Sequence, residues 1–205
     1  MDGVLVDSGA HHRAAWRALL DELAATPAAE DYWRLTIGRP AEEAVGRLLG
    51  RALSAAGARR LARRKHDHYV RLAGQALPAI PGAPAFVGAL REQGIPCAVA
   101  TSASRGDAER LLRAIGLRSR FECLVAADDV WQGKPEPEVY LRAADGLGVD
   151  PTRCLVFEDA LVGIVAARRA GMRVIGLTTA HADAELLAAG AERVIPDFQG
   201  LRWPV

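Results

Sequence analysis

Four short polar segments of the chain carry residues that could handle a phosphoryl group. They are, in chain order, residues 2–8, Thr101-Ser102, Gly133-Lys134-Pro135 and Glu158-Asp159. Lys134 supplies a point charge suited to phosphate, and Thr101, near a predicted helix start, supplies a neutral donor for the same anion. Two adjacent carboxylates after a buried strand are costly unless a cation compensates them, which favours an ion such as Mg²⁺. Taken singly, each segment is also explained by a turn, a helix cap or an exposed lysine.

The composition of the chain excludes several classes of function. Of its 205 residues, 50% are hydrophobic and 25% are charged, which is typical of a chain that buries a core. The net charge of 26 − 25 = +1 gives no global field for nucleic acid or an anionic membrane. Cys97, Cys123 and Cys154 lie far apart without a CxxC pair, which favours free thiols in a reducing compartment. With no signal peptide and no membrane-spanning run, we expect a cytoplasmic protein.

From Ile80 onward, short apolar runs alternate with amphipathic helical patterns. Strands are predicted at 95–101, 121–126, 154–157, 173–177 and 194–195, and helices near 108–115, at 137–147 and 161–170, and through Leu186 and Leu187. Because these strands are apolar on both faces, the alternation predicts an α/β fold with a Rossmann-like parallel sheet covered by helices on both sides. Ligands of such sheets bind at the carboxyl ends of the strands, where the polar segments lie.

Residues 9–79 follow a different pattern. Apolar residues such as Ala15, Leu19 and Leu23 recur at helical spacing, and no convincing strand is present. We expect an all-helical domain inserted between residues 1–8 and 80–205 of the α/β core, with a stiff connector before the core resumes. The insert contains a basic run made of Arg51, Arg59, Arg60, Arg63, Arg64, Lys65 and Arg71. No aromatic residues interleave with these charges, so the run favours a solvated helix surface over a nucleic-acid-binding face.

Together, the polar segments resemble the motifs of the haloacid dehalogenase superfamily, in its helical-capped branch of β-phosphoglucomutases and phosphoglycolate phosphatases. The matching segments are Asp2-Gly-Val-Leu-Val-Asp-Ser8, Val99-Ala-Thr-Ser102, Gly133-Lys-Pro-Glu-Pro137 and Val156-Phe-Glu-Asp-Ala160 with Gly163, which resemble motifs one to four. The match spans nearly the whole chain. It implies a Mg²⁺-dependent phosphatase that hydrolyses small phosphate monoesters through an aspartyl-phosphate.

The resemblance also implies roles for the matched residues. Asp2 is expected to protonate the leaving oxygen, to activate water afterwards and to hold Mg²⁺ through its main-chain carbonyl. Thr101, with Ser102 beside it, is expected to bind the transferring phosphoryl group. Lys134 is expected to neutralise the charge that develops on that group.

The metal site and the nucleophile follow from the same resemblance. Glu158 and Asp159 are expected to form the acidic part of the Mg²⁺ site. The nucleophile of the family is another aspartate, two positions before Asp2, and the sequence begins at Met1, one residue too late. The first core strand, which precedes that aspartate, is also missing. We expect the native protein to carry this strand and aspartate upstream of Met1, and the alternative is a truncated, inactive product.

The helical insert is expected to act as a cap that closes over the site and selects the organic part of the ester. His12 resembles a histidine beside the acid/base of the mutase branch, although a surface or capping role is also open. Arg39, in Gly38-Arg39-Pro40, resembles a residue of the cap loop that faces the site. The mutase branch has an arginine two residues further on, where this chain has Ala41, which favours a hydrolase.

The expected partner is a small phosphorylated metabolite, of the sugar phosphate or phosphoglycolate type, bound by a monomer or weak dimer. No nucleic-acid or membrane partner is expected. Two alternative functions stay open at this point. One is an isomerase that moves phosphate within a hexose phosphate, and the other is a catalytically inactive phosphate-binding module.

Overall fold

Helices form the regular structure between Gly9 and Ala73 in the computed structural model, which describes residues 1–74 and 77–205. They are α1 (Gly9–Glu22), α2 (Ala41–Leu48), α3 (Ala55–Ala73) and a short 3-10 helix at Tyr32–Thr36. Their apolar faces share a core that includes Trp16, Leu19 and Leu48. As predicted, this described segment holds no strand. Gln75 and Ala76, which belong to the predicted insert, lie outside the described residues.

The remainder of the chain alternates strands and helices. The strands are β1 (Ala98–Ala100), β2 (Cys123–Val125), β3 (Leu155–Glu158), β4 (Arg173–Leu177) and β5 (Arg193–Ile195). The longer helices are α4 (Ala83–Glu92), α5 (Arg105–Ala114), α6 (Glu138–Leu147), α7 (Leu161–Arg169) and α8 (Asp183–Ala188), and 3-10 turns occur at Arg118–Arg120, Ala127–Asp129 and Pro151–Arg153. The predicted α/β fold is therefore confirmed, and α4 is an addition to the predicted elements.

The strands form two parallel sheets where the sequence predicts one. β1 pairs with β2, and β4 lies between β3 and β5. No backbone pairing joins β1 to β3 in the described part of the chain. Each of two hydrophobic cores nevertheless takes side chains from both sheets: Val99 and Phe157 enter one, and Val125 and Val174 enter the other. The sheets therefore lie side by side and share both hydrophobic cores.

Two extended segments connect the α1–α3 region to the sheets. The N–H of Asp7 donates to the carbonyl of Pro78 at 2.9 Å, and the N–H of Ile80 donates to that of Leu5 at 3.0 Å. An antiparallel bridge between Val6 and Ala79 lies between these bonds. The two segments that link the sheet region to the α1–α3 region thus run antiparallel and are hydrogen-bonded to each other.

The structure also shows the length and hydropathy of the helices and the state of the cysteines. In the described residues, no helix is long and apolar enough to cross a membrane. All three cysteines are free and partly buried.

Candidate active site

One cavity of about 1190 Å³ brings together every site residue predicted from the sequence. Its lining includes Asp2, His12, Arg39, Thr101, Ser102, Lys134, Glu158 and Asp159. Part of the lining comes from the N-terminal segment and the residues that follow β1 and β3. The rest comes from the residues that follow β2 and β4, from α1, α3 and α5, and from the segment before α2. The cavity therefore lies at the carboxyl ends of parallel strands, as expected for this class of fold.

Lys134 and Glu158 form a buried ion pair in this cavity. Lys134 Nζ lies 2.8 Å from Glu158 Oε2, and both residues are about 4% exposed. The hydroxyl of Tyr140 donates to the same oxygen at 2.6 Å, while Glu158 Oε1 accepts the N–H of Ala160 at 3.0 Å. Burial is the largest single effect and opposes ionisation of Glu158, but Lys134, the N-terminal amine and the Tyr140 hydroxyl together outweigh it and lower the pKa of this carboxyl to about 2.

The backbone of α7 begins close against this pair. A Cβ atom added to Gly163 would lie 2.3 Å from Glu158 Cδ, so only glycine fits at this position. The Gly163 that accompanies the fourth motif thus has a packing reason: it admits the Glu158 side chain beside the first turn of the helix.

Asp159 faces a different environment from its neighbour. Its carboxylate is buried, and its one hydrogen bond among the described residues comes from the Thr179 hydroxyl at 3.4 Å. Burial and the negative charge of Glu158 raise the pKa of Asp159 to about 8. Gly3 approaches it closely, because a Cβ there would lie 1.9 Å from Asp159 Oδ2, and Gly3 has a left-handed φ of +65°. The Asp159 charge thus lacks a compensating side chain in the described structure.

Asp2 is held by two side chains from α1 and its N-cap. The Ser8 hydroxyl donates to Asp2 Oδ1 at 2.6 Å, and His12 Nε2 lies 3.2 Å from the same oxygen. Burial is the largest single effect and favours the neutral form, but the hydrogen bond of His12, the charge of the N-terminal amine and the hydrogen bond of Ser8 are among the effects that together outweigh it and hold the pKa of Asp2 well below its usual range. The structure therefore keeps Asp2 ionised in the unliganded chain.

Lys65 sets the tautomer of His12. Lys65 Nζ lies 2.7 Å from His12 Nδ1, and because an ammonium can only donate, Nδ1 accepts and Nε2 carries the proton toward Asp2. Burial, and then the charge of Lys65, lower the pKa of His12 below its ordinary value, so His12 is neutral at pH 7. The Tyr69 ring stacks on the imidazole with centroids 4.2 Å apart.

Thr101 and Ser102 follow β1 directly. The buried Thr101 hydroxyl oxygen accepts the N–H of Ala103 at 3.1 Å, which leaves the proton of that hydroxyl free for another acceptor. The Ser102 hydroxyl donates to the carbonyl of Gly38 at 2.9 Å. Ser102 therefore contacts the loop before α2, whereas Thr101 is the group that can bind an anion.

Arg39 lines the cavity, but its guanidinium is already engaged. Its Nη1 donates to Glu43 Oε1 at 2.6 Å, one turn further along α2. Arg47 binds the same oxygen of Glu43 at 3.1 Å. A guanidinium has further N–H groups, so this pair leaves donors for the contact between Arg39 and a substrate, which stays a prediction.

The α1–α3 region is held against the sheet region by polar contacts around the cavity. Arg34, in the 3-10 helix, forms an ion pair with Glu185 and lies 3.2 Å from His181 Nδ1. On α3, His66 Nδ1 lies 3.3 Å from Asp107 Oδ2 on α5. These contacts join the α1–α3 region to the sheet region on two sides of the cavity.

Sequence reasoning missed several residues that build the site. Lys65 belongs to the basic run predicted to be a solvated surface, yet it is only 6% exposed and lies 5.2 Å from the centroid of the Trp16 ring. Its helical spacing of four residues from the buried Tyr69 was a signal for burial. Tyr140 sits on the apolar face of α6, and no sequence pattern distinguishes its hydroxyl from that of a core tyrosine.

Mg²⁺ fits part of this donor set. Asp159 and Asp2 supply the oxygen ligands that Mg²⁺ prefers, and Asp159, whose pKa is raised to about 8, would release its proton when it binds the ion. Glu158 is engaged by Lys134, Tyr140 and the Ala160 N–H. Within residues 1–74 and 77–205, no three His, Cys, Asp or Glu side chains are grouped so that they could hold a metal ion. A bound Mg²⁺ would therefore keep water, main-chain or phosphate oxygens among its ligands.

Comparisons with known proteins place these residues in a family context. Residues 1–171 match the family model described as haloacid dehalogenase-like hydrolase. The chain is 37% identical over 223 aligned residues to validoxylamine A 7'-phosphate phosphatase of Streptomyces hygroscopicus subsp. limoneus, covering 100% of this chain and 94% of that protein. It is 32% identical to a phosphorylated carbohydrates phosphatase of Thermotoga maritima, covering 95% and 91% of the two chains.

A solved structure gives the same result for the fold. The β-phosphoglucomutase of Clostridium difficile superposes with a TM-score of 0.86 at 25% identity, covering 98% of this chain and 90% of that one. The matched relatives are named phosphatases, so the predicted class of enzyme, a phosphoric monoester hydrolase, is confirmed. The chain belongs to the haloacid dehalogenase-like hydrolase family.

Proposed function

We propose that this chain hydrolyses the phosphate monoester of a phosphorylated carbohydrate in a Mg²⁺-dependent reaction. The observation that carries the proposal is the position of Asp2, Thr101, Lys134 and Asp159 around one cavity, with a buried ammonium and an uncompensated carboxylate. The names of the relatives support a carbohydrate phosphate as the substrate, since one is a phosphatase of phosphorylated carbohydrates.

Each of these side chains has a distinct part in the proposed reaction. The Lys134 ammonium and the Thr101 hydroxyl bind the oxygens of the phosphoryl group and stabilise charge that develops during transfer. Asp2 is ionised in the described structure, so it must take up a proton when the ester binds. In a chain that carries the family's aspartate upstream of Met1, that carboxylate would bond to phosphorus as the ester P–O bond breaks, and Asp2 would give its proton to the leaving alkoxide. Asp2 would then take a proton from the water that attacks the aspartyl-phosphate. Both hydrogen bonds to Asp2 end on Oδ1, which leaves Oδ2 for this exchange.

The remaining acidic residues prepare the site. Asp2, Glu158 and Asp159 are the proposed Mg²⁺ residues, with Asp159 as the one whose charge calls for the ion. When bound, Mg²⁺ would neutralise phosphate charge and orient the ester. Glu158 holds Lys134 in position through the 2.8 Å ion pair. The position of the family's nucleophile, two residues before Asp2, precedes this sequence.

Release of inorganic phosphate tests the proposal. The assay would compare the 205-residue chain with a chain extended by an apolar strand that ends in Asp directly before Met1. We expect Mg²⁺-dependent phosphate release from glucose 6-phosphate or fructose 1-phosphate by the extended chain, and its loss on Asp2→Asn. Asp183→Asn, an exposed residue on α8, is the matched control and should retain the activity.

Two outcomes would contradict the proposal. Activity that survives Asp2→Asn would remove the acid/base role of that residue. Binding of phosphate without turnover by the extended chain, at any Mg²⁺ concentration, would instead support the inactive binding module.

A further inference from the structure

Trp131 is the most exposed large apolar side chain among the described residues. It is 92% exposed, whereas the other large hydrophobic residues on the surface are exposed by 41–47%. Trp131 lies three residues before Lys134 and lines the same cavity as the proposed active site. A single exposed apolar side chain is common on protein surfaces, so the position of this indole at the cavity, and not its exposure alone, makes it a candidate ligand contact.

The backbone that carries Trp131 is held firmly. The N–H groups of Trp131 and Gln132 donate to Glu138 Oε2 at 3.0 and 2.9 Å. A Cβ added to Gly133 would lie 3.0 Å from Pro40 Cγ, so the loop before α2 reaches this segment. The indole therefore extends from a fixed turn that lines the cavity, three residues before Lys134.

Aromatic residues both fill the cores and line the cavity. Trp16, Tyr32 and Tyr69 line the cavity and also pack in or against hydrophobic cores. Trp33 and Trp131 line the cavity without belonging to a core cluster. Aromatic rings with a polar group suit a ligand that has both an apolar face and hydroxyl groups.

We propose that Trp131 is a specificity-determining residue whose indole face packs on the ring of a cyclic carbohydrate ester. A sugar or cyclitol ring presents a face of C–H groups to the indole and keeps its hydroxyls at the rim. An acyclic ester lacks that face and gains little from the contact. This inference rests on the proposed function and adds the selection of cyclic over acyclic phosphate esters.

Binding measurements in an Asp2→Asn background test the inference without turnover. Isothermal titration in the presence of Mg²⁺ would give affinities for inorganic phosphate, for the acyclic glycerol 3-phosphate and for four cyclic esters. The cyclic esters are glucose 1-phosphate, glucose 6-phosphate, fructose 1-phosphate and myo-inositol 1-phosphate. We expect the best cyclic ester to bind more tightly than glycerol 3-phosphate. Trp131→Ala should weaken that ester about fivefold and leave inorganic phosphate unchanged, while Trp131→Phe retains most of the affinity.

Leu187→Ala is the matched control, because it removes an exposed apolar side chain that does not line the cavity. The inference is overturned if no cyclic ester is preferred, or if Trp131→Ala weakens all ligands equally or none of them. It is also overturned if Trp131→Ala changes only the sedimentation coefficient, which would make the indole a contact between protein copies. Failure of the background protein to bind phosphate or any ester would instead refute the proposed function.

Discussion

Glu158 and Asp159 show how one strand end gives neighbouring carboxyl groups opposite protonation behaviour. Glu158 is turned to Lys134 and Tyr140, and its pKa is lowered. Asp159 is turned to Gly3 and Thr179 and forms no ion pair in the described structure; burial and the charge of Glu158 raise its pKa, although the N-terminal amine and Lys134 oppose the shift. Glu158 thus pairs with Lys134, and Asp159 is the carboxyl group that remains for a metal ion.

The Lys134–Glu158 pair gives the first prediction. Lys134→Met would leave Glu158 buried without a cation, so we expect it to lower the free energy of unfolding by about 3 kcal/mol or more. Adding Glu158→Gln should recover part of that loss, because the amide carries no charge. Urea denaturation measures both effects, and a double variant as unstable as Lys134→Met would contradict the argument.

An exposed pair serves as the control for this measurement. Arg169 and Glu136 lie 2.9 Å apart, and both side chains are about half exposed. Arg169→Met should cost less than about 1 kcal/mol, because solvent screens such pairs.

Asp159 gives a prediction that depends on pH. Its folded-state pKa of about 8 lies above the ordinary value of 3.8, so the folded chain binds this proton more tightly than the unfolded chain does. The contribution of Asp159 to stability is therefore present below about pH 4 and is lost as the pH rises through 8. We expect Asp159→Asn to raise the metal-free Tm at pH 8, and Mg²⁺ to raise the Tm of the parent chain but not of the variant. A Mg²⁺ response that persists in Asp159→Asn would contradict the assignment.

At the scale of elements, α3 combines a surface role with a buried one. The helix begins after Ser54, whose hydroxyl caps it by accepting the N–H of Gly57, and it packs along α1. Its basic run contains Lys65, which faces inward between the rings of Trp16 and Tyr69 at about 5 Å from each. The helix therefore carries the ammonium that orients His12.

Burial of Lys65 produces a stability effect with its own pH range. Burial lowers the pKa of Lys65 to about 8, against 10.5 in the unfolded chain, although Asp2 and Asp107 oppose the shift. Below pH 8 the folded chain carries the full cost of a buried charge, and stability rises as the pH increases from 8 to 10.5. We expect the parent chain to gain stability relative to Lys65→Met between pH 7 and 10 in urea denaturation. A constant difference between the two proteins would show that Lys65 has an unshifted pKa.

Much of this element pattern could be predicted from the sequence. The alternation from Ile95 to Ile195 was predicted because buried parallel strands and amphipathic helices differ in periodicity. Helix α4 was not assigned, although Ala83, Phe86 and Leu90 follow helical spacing and all are buried. Position 84 is a proline, and it lies in the first turn, where proline is tolerated.

The site was predicted less completely than the fold. Motif residues at strand ends could be assigned because topology brings strand ends together. Lys65 and Tyr140 reach the site by tertiary packing: the spacing of Lys65 from Tyr69 indicates burial, but no local pattern indicates the contact with His12 or the contact of Tyr140 with Glu158. The predicted domain boundaries, after residue 8 and before residue 80, remain a prediction.

At the scale of the whole molecule, the cavity lies between the sheet region and the α1–α3 region. The sheet region supplies Lys134, Thr101 and Asp159. The α1–α3 region supplies Lys65, with the rings of Trp16 and Tyr69 beside it. Both sheets share their hydrophobic cores, so the carboxyl ends of β1 and β3 remain aligned although no backbone bond joins these strands in the described structure. The position of the phosphate site is thus set by packing between the two sheets.

The most direct test of this account is a crystal structure of the chain soaked with Mn²⁺ and tungstate, with both located by anomalous scattering. Mn²⁺ takes the oxygen ligands of Mg²⁺, and tungstate has the shape of phosphate. We expect the Mn²⁺ peak at the Asp159 carboxylate and the tungstate peak between Lys134 Nζ and the Thr101 hydroxyl. Peaks elsewhere in the cavity, or none at either position, would contradict the proposed phosphoryl-transfer site.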